Sequence, residues 1–351
     1  MSPDGNEFEG GAPDPPTSAD ALRRALTEDV ERLVEQEPHV RKGVDPEAVH
    51  QARVATRRLR SQLRTFRGAL RKAPLKRLAE PLKELAGLLG AVRDLDVLAM
   101  RLESCRDGVG DEPASVPARV VDDVLVKVGR EREVAFHRLL SEMDSDRYHQ
   151  LVDRLVGFAA DPPFRKVARR PAAELLEPAV RLAWQRLERT VSSLPVVPGE
   201  ADLHQVRIRA KRARYAAQAV SPFGPPAYEQ LAKRLGKLQD VLGLLNDGVH
   251  AVAWLRQAGT APPEPAAELL GPAGVPEPAV APPAEVPEPA GVPGPAGAHA
   301  GAALSGDSYL AGIELLIAHQ HLAMAAARDE WRQRWQQARA AAAELGWLAG
   351  E

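Results

Sequence analysis

Apolar residues recur three or four positions apart along most of the chain, the spacing that places side chains on one face of an α-helix. Leu22, Leu26, Val30 and Leu33 show this period near the beginning of the chain. We find no alternating runs of Val, Ile and Thr, which would indicate strands. The predicted helices cover residues 20–36, 46–72, 75–106, 119–143, 147–159, 172–194, 203–220, 227–257 and 308–345. The pattern therefore predicts an all-α protein.

The second predicted helix has the clearest start signal. Asp45 is its predicted N-cap, and Pro46 occupies the first helical position, where proline is well tolerated. We place its end at residue 72, because the residue before a proline, here Pro74, avoids the helical region. The predicted N-caps of two further helices are Ser18 or Asp20 for the first and Asp202 for the seventh.

Cations line one side of this second helix. No Asp or Glu occurs between Glu47 and Glu80. At about 100° per residue, one stripe of the helix collects His50, Arg53, Arg57, Arg60, Arg64, Arg67 and Arg71. An ordinary solvated helix face mixes charges of both signs, whereas guanidinium beside guanidinium is unfavourable unless an anion lies across them. The stripe therefore predicts a binding surface for a polyanion.

The basic stripe occurs twice in the chain. The stretch that begins at His204 repeats the stretch that begins at His50, at a constant offset of 154 residues. The basic helix predicted for residues 203–220 also repeats the cations of the first basic helix. These are Arg207, Lys211, Arg212 and Arg214. An internal repeat of this length, with its charged positions kept, indicates two structural halves that present the same surface.

Two segments differ from the helical pattern. Residues 1–18 are rich in Gly, Pro, Asp and Glu and are predicted to be a disordered acidic tail. Residues 258–306 are a Pro/Ala-rich low-complexity insertion within the second half, at a proline density that no helix can hold. The formal net charge of −2 therefore hides a segregation of acids and bases, and the local field predicts the partner better than the total charge does.

Composition excludes several classes of protein. Cys105 is the only cysteine, so no intrachain disulfide and no thiolate metal cage can form. The N-terminus has no basic segment followed by an apolar one, and we find no run of about 20 apolar residues. We therefore expect a cytoplasmic protein that does not enter a membrane and needs no metal or cofactor.

A second pair of motifs accompanies the basic stripes. Residues 88–97 read Leu-Leu-Gly-Ala-Val-Arg-Asp-Leu-Asp-Val, and residues 241–247 read Val-Leu-Gly-Leu-Leu-Asn-Asp. Two basic helices that each open on His-x-x-Arg, with these two motifs in the same order, resemble the CHAD family, the conserved-histidine α-helical domain. The resemblance covers residues 19–345 apart from the insertion, with the halves at about 19–145 and 170–345.

The resemblance implies a fold, a ligand and a set of contacts. The fold would be a tandem pair of four-helix bundles related by pseudo-two-fold symmetry, with a basic groove that binds inorganic polyphosphate. It also implies association with polyphosphate granules. The implied contacts in the first half are His50, Arg53, Arg57, Arg58, Arg60 and Arg64, and in the second His204, Arg207, Lys211, Arg212 and Arg214. Weaker candidates on the flanking helices are Lys83, Arg93, Lys233 and Lys237. Gln218 stands where the first half has Arg64, so the first half should carry more positive charge.

Alternative functions remain open from the sequence. The same groove could bind nucleic acid, although the basic helices offer only Phe66 and Tyr215 as stacking aromatics. The chain could also be an accessory subunit of a polyphosphate-metabolising enzyme. Catalysis itself is not expected, because the chain lacks a phosphate-binding loop, a His-Glu-x-x-His motif and clustered carboxylates to hold Mg²⁺. Asp94 and Asp247 are predicted to orient basic side chains rather than to catalyse.

Overall fold

We analysed a computed structural model, which describes residues 17–106, 116–260 and 304–347. Within these ranges the chain is helical and contains no β-strand beyond isolated bridges. The all-α prediction is therefore confirmed. The predicted acidic tail, apart from its last two residues, and nearly all of the predicted Pro/Ala insertion lie outside the described residues.

The helices follow the repeat seen in the sequence. The first half contains α1 (Ser18–Lys42), α2 (Pro46–Thr65), α3 (Lys72–Arg106), α4 (Val116–Met143) and α5 (Asp146–Ala160). The second half contains α6 (Ala172–Ser192), α7 (Glu200–Val220), α8 (Ala227–Gly259) and α9 (Gly306–Ala343). Short 3₁₀ turns at Lys166–Arg169 and Ser221–Phe223 connect some of them. The two basic stretches form α2 and α7, as predicted.

The start of α2 is confirmed, whereas two predicted caps are wrong. The Asp45 side chain accepts a hydrogen bond from the backbone N–H of residue 47 at 2.8 Å. Helix α1, however, is capped by Thr17, and Asp20 completes a capping box from within the first turn. Similarly, Gly199 is the N-cap of α7, and Asp202 accepts the Gly199 N–H at 2.9 Å. Both aspartates stabilise their helices from the third helical position.

Helix α2 ends seven residues earlier than predicted. The chain leaves the helix after Thr65, because Phe66 packs into the core of the second half while Leu70 packs into that of the first. The segment that crosses this turn fixes it, since the Arg165 N–H donates to the Ala69 carbonyl at 2.8 Å. Pro74 then lies in the first turn of α3, where its missing N–H costs no helical hydrogen bond.

Three hydrophobic cores hold the described residues together. One lies in the first half around Leu59 and Leu82, and one in the second half around Trp184 and Leu235. The third joins the halves, and its members come from the far ends of the α3–α4 and α8–α9 hairpins, for example Leu102, Val124, Leu255 and Ile313. The long hairpins thus belong to both their own half and the shared core, an arrangement that the simple tandem of two bundles did not include.

By length and composition alone, α9 is apolar enough to cross a membrane, and it is the one such helix in the described part of the chain. Tyr309, Ile313 and Leu316 of this helix are buried in the third core, and Trp331 and Trp335 in the core of the second half. Packing within the fold therefore accounts for part of its apolar character, whereas Leu310, Leu315 and Leu322 are exposed.

Candidate functional site

The two basic helices lie against each other. Helix α2 packs on α7, while each of them also packs on the following helix of its own half, α3 and α8. A cavity of about 170 Å³ opens along the α2–α7 contact. Its lining residues are Arg57, Arg60, Ser61, Arg64, Ile208, Lys211, Arg212 and Tyr215. We call this cavity the α2–α7 groove. It brings five cations from both repeats together, and no carboxylate of the described residues lines it.

Charges deeper along the same two helices repel one another. Burial first, and then the guanidinium groups of Arg207, Arg57 and Arg53, lower the pKa of Lys211 to about 7, with Asp247 opposing them. The pKa of Arg207 is also lowered, again by burial first, despite the favourable charge of Asp247. The unliganded groove therefore holds more positive charge than its own acids neutralise.

Several polar atoms of α2 and α7 are buried without a hydrogen-bond partner. They include the Nε atoms of Arg57, Arg207 and Arg214, the Nδ1 atom of His50 and the hydroxyl of Tyr215. Buried polar groups are nearly always paired in folded proteins, so a cluster of unpaired donors needs an explanation. An anion that accepted hydrogen bonds from these helices would offset the positive charge of their guanidinium groups.

Tyr215 is a groove residue that sequence reasoning did not single out as a site residue. The guanidinium of Arg57 lies over its ring, with the Cζ atom 5.7 Å from the ring centroid. Tyr215 itself is buried, so its ring supports an arginine of the opposite half instead of offering an open stacking face. The available signal was an aromatic residue within an otherwise charged and Ala-rich helix.

The second pair of motifs contributes polar groups beside the basic helices. Asp94 accepts a hydrogen bond from Nη2 of Arg53 at 3.0 Å, so its predicted role in orienting a basic side chain is confirmed. In the second half, Asn246 stands where the first half has Arg93, and its Oδ1 atom lies 2.8 Å from Nδ1 of His204. The pKa of His50 is lowered by burial and then by the positive charge of Arg93. The two motif histidines therefore have different partners despite their matched positions.

Comparison with known proteins identifies the family of this chain. The model of the CHAD domain family matches residues 24–256, about two thirds of the chain. This chain belongs to the CHAD family. Polyphosphate binding is a general attribute of that family, and its domain is a binding module that is generally non-catalytic.

Solved structures support the fold. The structure titled "PptA from Streptomyces chartreusis" superposes with a TM-score of 0.63 at 21% identity, and the match covers 92% of this chain and 99% of that chain. The CHAD domain from the plant Ricinus communis superposes with a TM-score of 0.58 at 26% identity, over 73% of this chain and 83% of that one.

Sequence relatives have no described activity. Uncharacterized proteins from two strains of Mycobacterium tuberculosis, CDC 1551 and H37Rv, are each 30% identical over 244 residues. The matches cover 68% of this chain but only 45% of those proteins. The chain thus spans less than half the length of the curated relatives that it matches.

Within the CHAD domain, Arg58 lies apart from the groove. Its Nε atom is 3.4 Å from Oδ1 of Asp29 in α1, and only 2% of the Asp29 side chain is exposed. Gln62 donates a further hydrogen bond to the same carboxylate at 2.8 Å. Burial raises the pKa of Asp29 to about 6, although Arg58 and then Arg32 favour its charged form. The structure places Arg58 in an ion pair that joins α1 to α2.

The weaker candidates have mixed surroundings. Lys83 pairs with Glu80 at 2.7 Å and Lys233 with Glu229 at 2.7 Å, both at exposed positions on their own helices. Lys237 is exposed on α8, whereas Arg93 is half-buried and acts on His50 through its charge. Of these four, Arg93 has the clearest electrostatic effect on the basic helices.

Arg214 lies against α8. A Cβ atom built on Gly236 would stand 3.5 Å from the guanidinium carbon of Arg214, so this side chain extends across the surface of the neighbouring helix.

Among the residues that the structure describes, no group of three or more His, Cys, Asp or Glu side chains could hold a metal ion. Cys105 is buried, and the amide of Gln320 lies 3.1 Å from its sulfur.

Proposed function

We propose that this CHAD domain binds inorganic polyphosphate in the α2–α7 groove and does not transform it. The observation that carries the proposal is the convergence of five cations from two sequence repeats on one cavity that no carboxylate lines. A polyphosphate chain presents closely spaced negative charges and no bases. It therefore matches a surface that offers charge and hydrogen-bond donors without exposed aromatic platforms.

The groove has sufficient cations for useful affinity. Arginine suits phosphate because its planar guanidinium donates two parallel charge-assisted hydrogen bonds and stays charged at any relevant pH. If each contact contributes about 1.5 kcal/mol, five of them reach about 7–8 kcal/mol, which corresponds to a Kd near micromolar. Release of counterions from the polyanion should make the affinity fall steeply with salt.

One feature of the groove favours polyphosphate over nucleic acid, and another favours binding over catalysis. Single-strand binders stack bases on aromatic side chains, but Tyr215 is buried beneath Arg57. Phosphoryl transfer is disfavoured as well, because it needs carboxylates that hold a divalent cation next to the phosphate. No carboxylate lines the groove. In the cell, the protein would associate with cytoplasmic polyphosphate granules, and a fluorescent fusion observed with and without polyphosphate synthesis would test that association.

A competition titration tests the proposal. Long-chain polyphosphate and duplex DNA, at matched phosphate concentration and salt, compete for the protein, and we expect a preference for polyphosphate of about tenfold or more. The double variant Arg57→Glu/Lys211→Glu should lose binding while its helical circular dichroism stays unchanged. The matched control Arg154→Glu/Arg181→Glu changes the same charge at exposed positions and should bind like wild type.

Two results would overturn the assignment. A tenfold preference for DNA would make the groove a nucleic-acid site. Release of phosphate from the polymer in the presence of Mg²⁺ or Mn²⁺ would make the protein an enzyme.

A further inference from the structure

A larger cavity adjoins the α2–α7 groove at one end. It lies between the end of α2 and the beginning of α3 and has a volume of about 840 Å³. Seven cations line it: Arg60, Arg64, Arg67, Lys72, Lys76, Lys83 and Arg165. Leu63, Leu75 and Leu82 form its apolar wall. We call it the α2–α3 cleft.

Positive charge in this cleft is almost unopposed. Glu80 is its one lining carboxylate, and Lys83, which also lines the cleft, already pairs with it at 2.7 Å. Within the described ranges, Arg64, Arg67 and Lys76 take part in no ion pair. On an ordinary surface, exposed cations are interspersed with acids. In this cleft they are not, and the repulsion between neighbouring cations is therefore unfavourable unless an anion is bound.

The cleft is continuous with the groove. Arg60 and Arg64 line both cavities, because successive turns of α2 carry them between α7 on one side and α3 on the other. A linear polyanion that lies along α2 can therefore pass from the groove to the cleft while remaining in contact with cations. Among the described residues, no acidic side chain lines the groove, and Glu80 is the one carboxylate that lines the cleft.

One wall of the cleft is held by tertiary contacts. The side chain of Arg165 donates to the Gly68 carbonyl at 3.1 Å, and its backbone N–H donates to Ala69 at 2.8 Å. The Arg71 N–H in turn donates to the Pro163 carbonyl at 2.9 Å. These bonds position a cation from the α5–α6 connection over the end of α2, so part of the charge is preorganised.

The sequence of the second half does not repeat two of the cations that line the cleft. Ser221 stands at the place that matches Arg67, with the offset of 154 residues that relates the two basic helices. Glu229 stands at the place that matches Lys76, with the offset of 153 residues that relates α3 to α8. The cationic path therefore extends beyond the groove on one side only.

We propose that the α2–α3 cleft is a second phosphate subsite that binds the continuation of a chain already held in the α2–α7 groove. This inference rests on the proposed function. Because the extension is one-sided, a long polyphosphate chain contacts both cavities, whereas tripolyphosphate is held by the groove alone. Chain-length discrimination is then a property of the first half of the domain.

The test compares long-chain polyphosphate with tripolyphosphate by calorimetry at constant salt. The variant Arg67→Gln/Lys72→Gln/Lys76→Gln should lower the affinity for the long chain by about tenfold or more and flatten its salt dependence. Its affinity for tripolyphosphate should stay within about twofold. The matched control Arg24→Gln/Arg154→Gln/Arg181→Gln removes the same charge from exposed helix positions and should leave both affinities unchanged.

Different failures point to different conclusions. If the triple variant binds the long chain like wild type, the cleft is not a subsite. If it loses affinity for both ligands equally, the cleft does not bind the continuation of a long chain selectively, and the proposal fails. If the wild-type protein binds neither ligand, the proposed function itself fails. If Arg57→Glu/Lys211→Glu keeps full affinity while the cleft variant loses the long chain, the groove assignment fails and the cleft assignment stands.

Discussion

Replacement of Lys211 by methionine should stabilise the unliganded protein and weaken its binding of polyphosphate. The Lys211 side chain lies among Arg207, Arg57 and Arg53, and burial together with these charges lowers its pKa from the ordinary 10.5 to about 7. The charged form is therefore disfavoured in the unliganded groove. A bound polyanion would remove that penalty, so the lysine is a residue that serves binding at the expense of stability.

The size and sign of the effect follow from proton linkage. Between pH 7 and 10.5 the unfolded chain binds more protons at this lysine than the folded protein does, so stability from this group rises with pH across that range. Below pH 7 the charge is present in both states and its full cost remains, on the order of 5 kcal/mol. After repacking losses, we expect Lys211→Met to gain about 1–3 kcal/mol near pH 6 and almost nothing near pH 10.

Urea denaturation across this pH range measures the prediction. Wild type, Lys211→Met and the control Lys237→Met, which removes an exposed lysine of α8, are unfolded at several pH values. We expect the control to match wild type in its free energy of unfolding at each pH. In parallel titrations, Lys211→Met should lose affinity for polyphosphate. The reasoning is refuted if Lys211→Met is no more stable than wild type near pH 6, or if its gain does not depend on pH.

Three further predictions follow from the same structure. Polyphosphate affinity should fall as the pH rises from about 6 to 9, because binding must return a proton to Lys211, and calorimetry in buffers of different ionisation enthalpy would detect that uptake. Arg57→Gln should weaken polyphosphate binding with little loss of stability, whereas Arg58→Gln should do the reverse, since it removes the nearer of the two arginines that pair with the buried Asp29 carboxylate; titration and thermal denaturation of both variants separate the two roles. Gly312→Ala should cost about 1–3 kcal/mol of stability, because its new Cβ would stand 2.6 Å from Val120 Cγ2 in the shared core, and an unchanged Tm would contradict that packing.

Local features of the fold were predictable, whereas helix ends were less so. Asp45 and Pro46 start α2 as predicted, because capping needs only neighbouring residues. The end of α2 was predicted seven residues too late, since Phe66 and Leu70 are drawn into cores of different halves. The third core was not anticipated either, because it requires the tips of two hairpins that are far apart in the chain to meet.

The candidate site shows the same division. Arg57 and Arg58 are adjacent arginines, and the sequence repeat aligns both of them with cations of the second half. In the structure, Arg57 lines the α2–α7 groove. Arg58 instead forms an ion pair with Asp29, which lies on another helix. The role of Tyr215 in the groove likewise depends on a residue that is distant in the chain, because its ring supports an arginine of the opposite half.

The amino-acid sequence by itself determined the helical class, the duplicated basic helices and the segregation of their positive charge from acids, because periodicity, capping and charge pattern act over a few residues. Only the tertiary structure decided that both basic helices share one groove, that a second cationic cleft adjoins it in the first half and that Lys211 is half-buried among arginines. Desolvation and charge pairing depend on which distant residues are brought into contact, and that is a property of the folded chain.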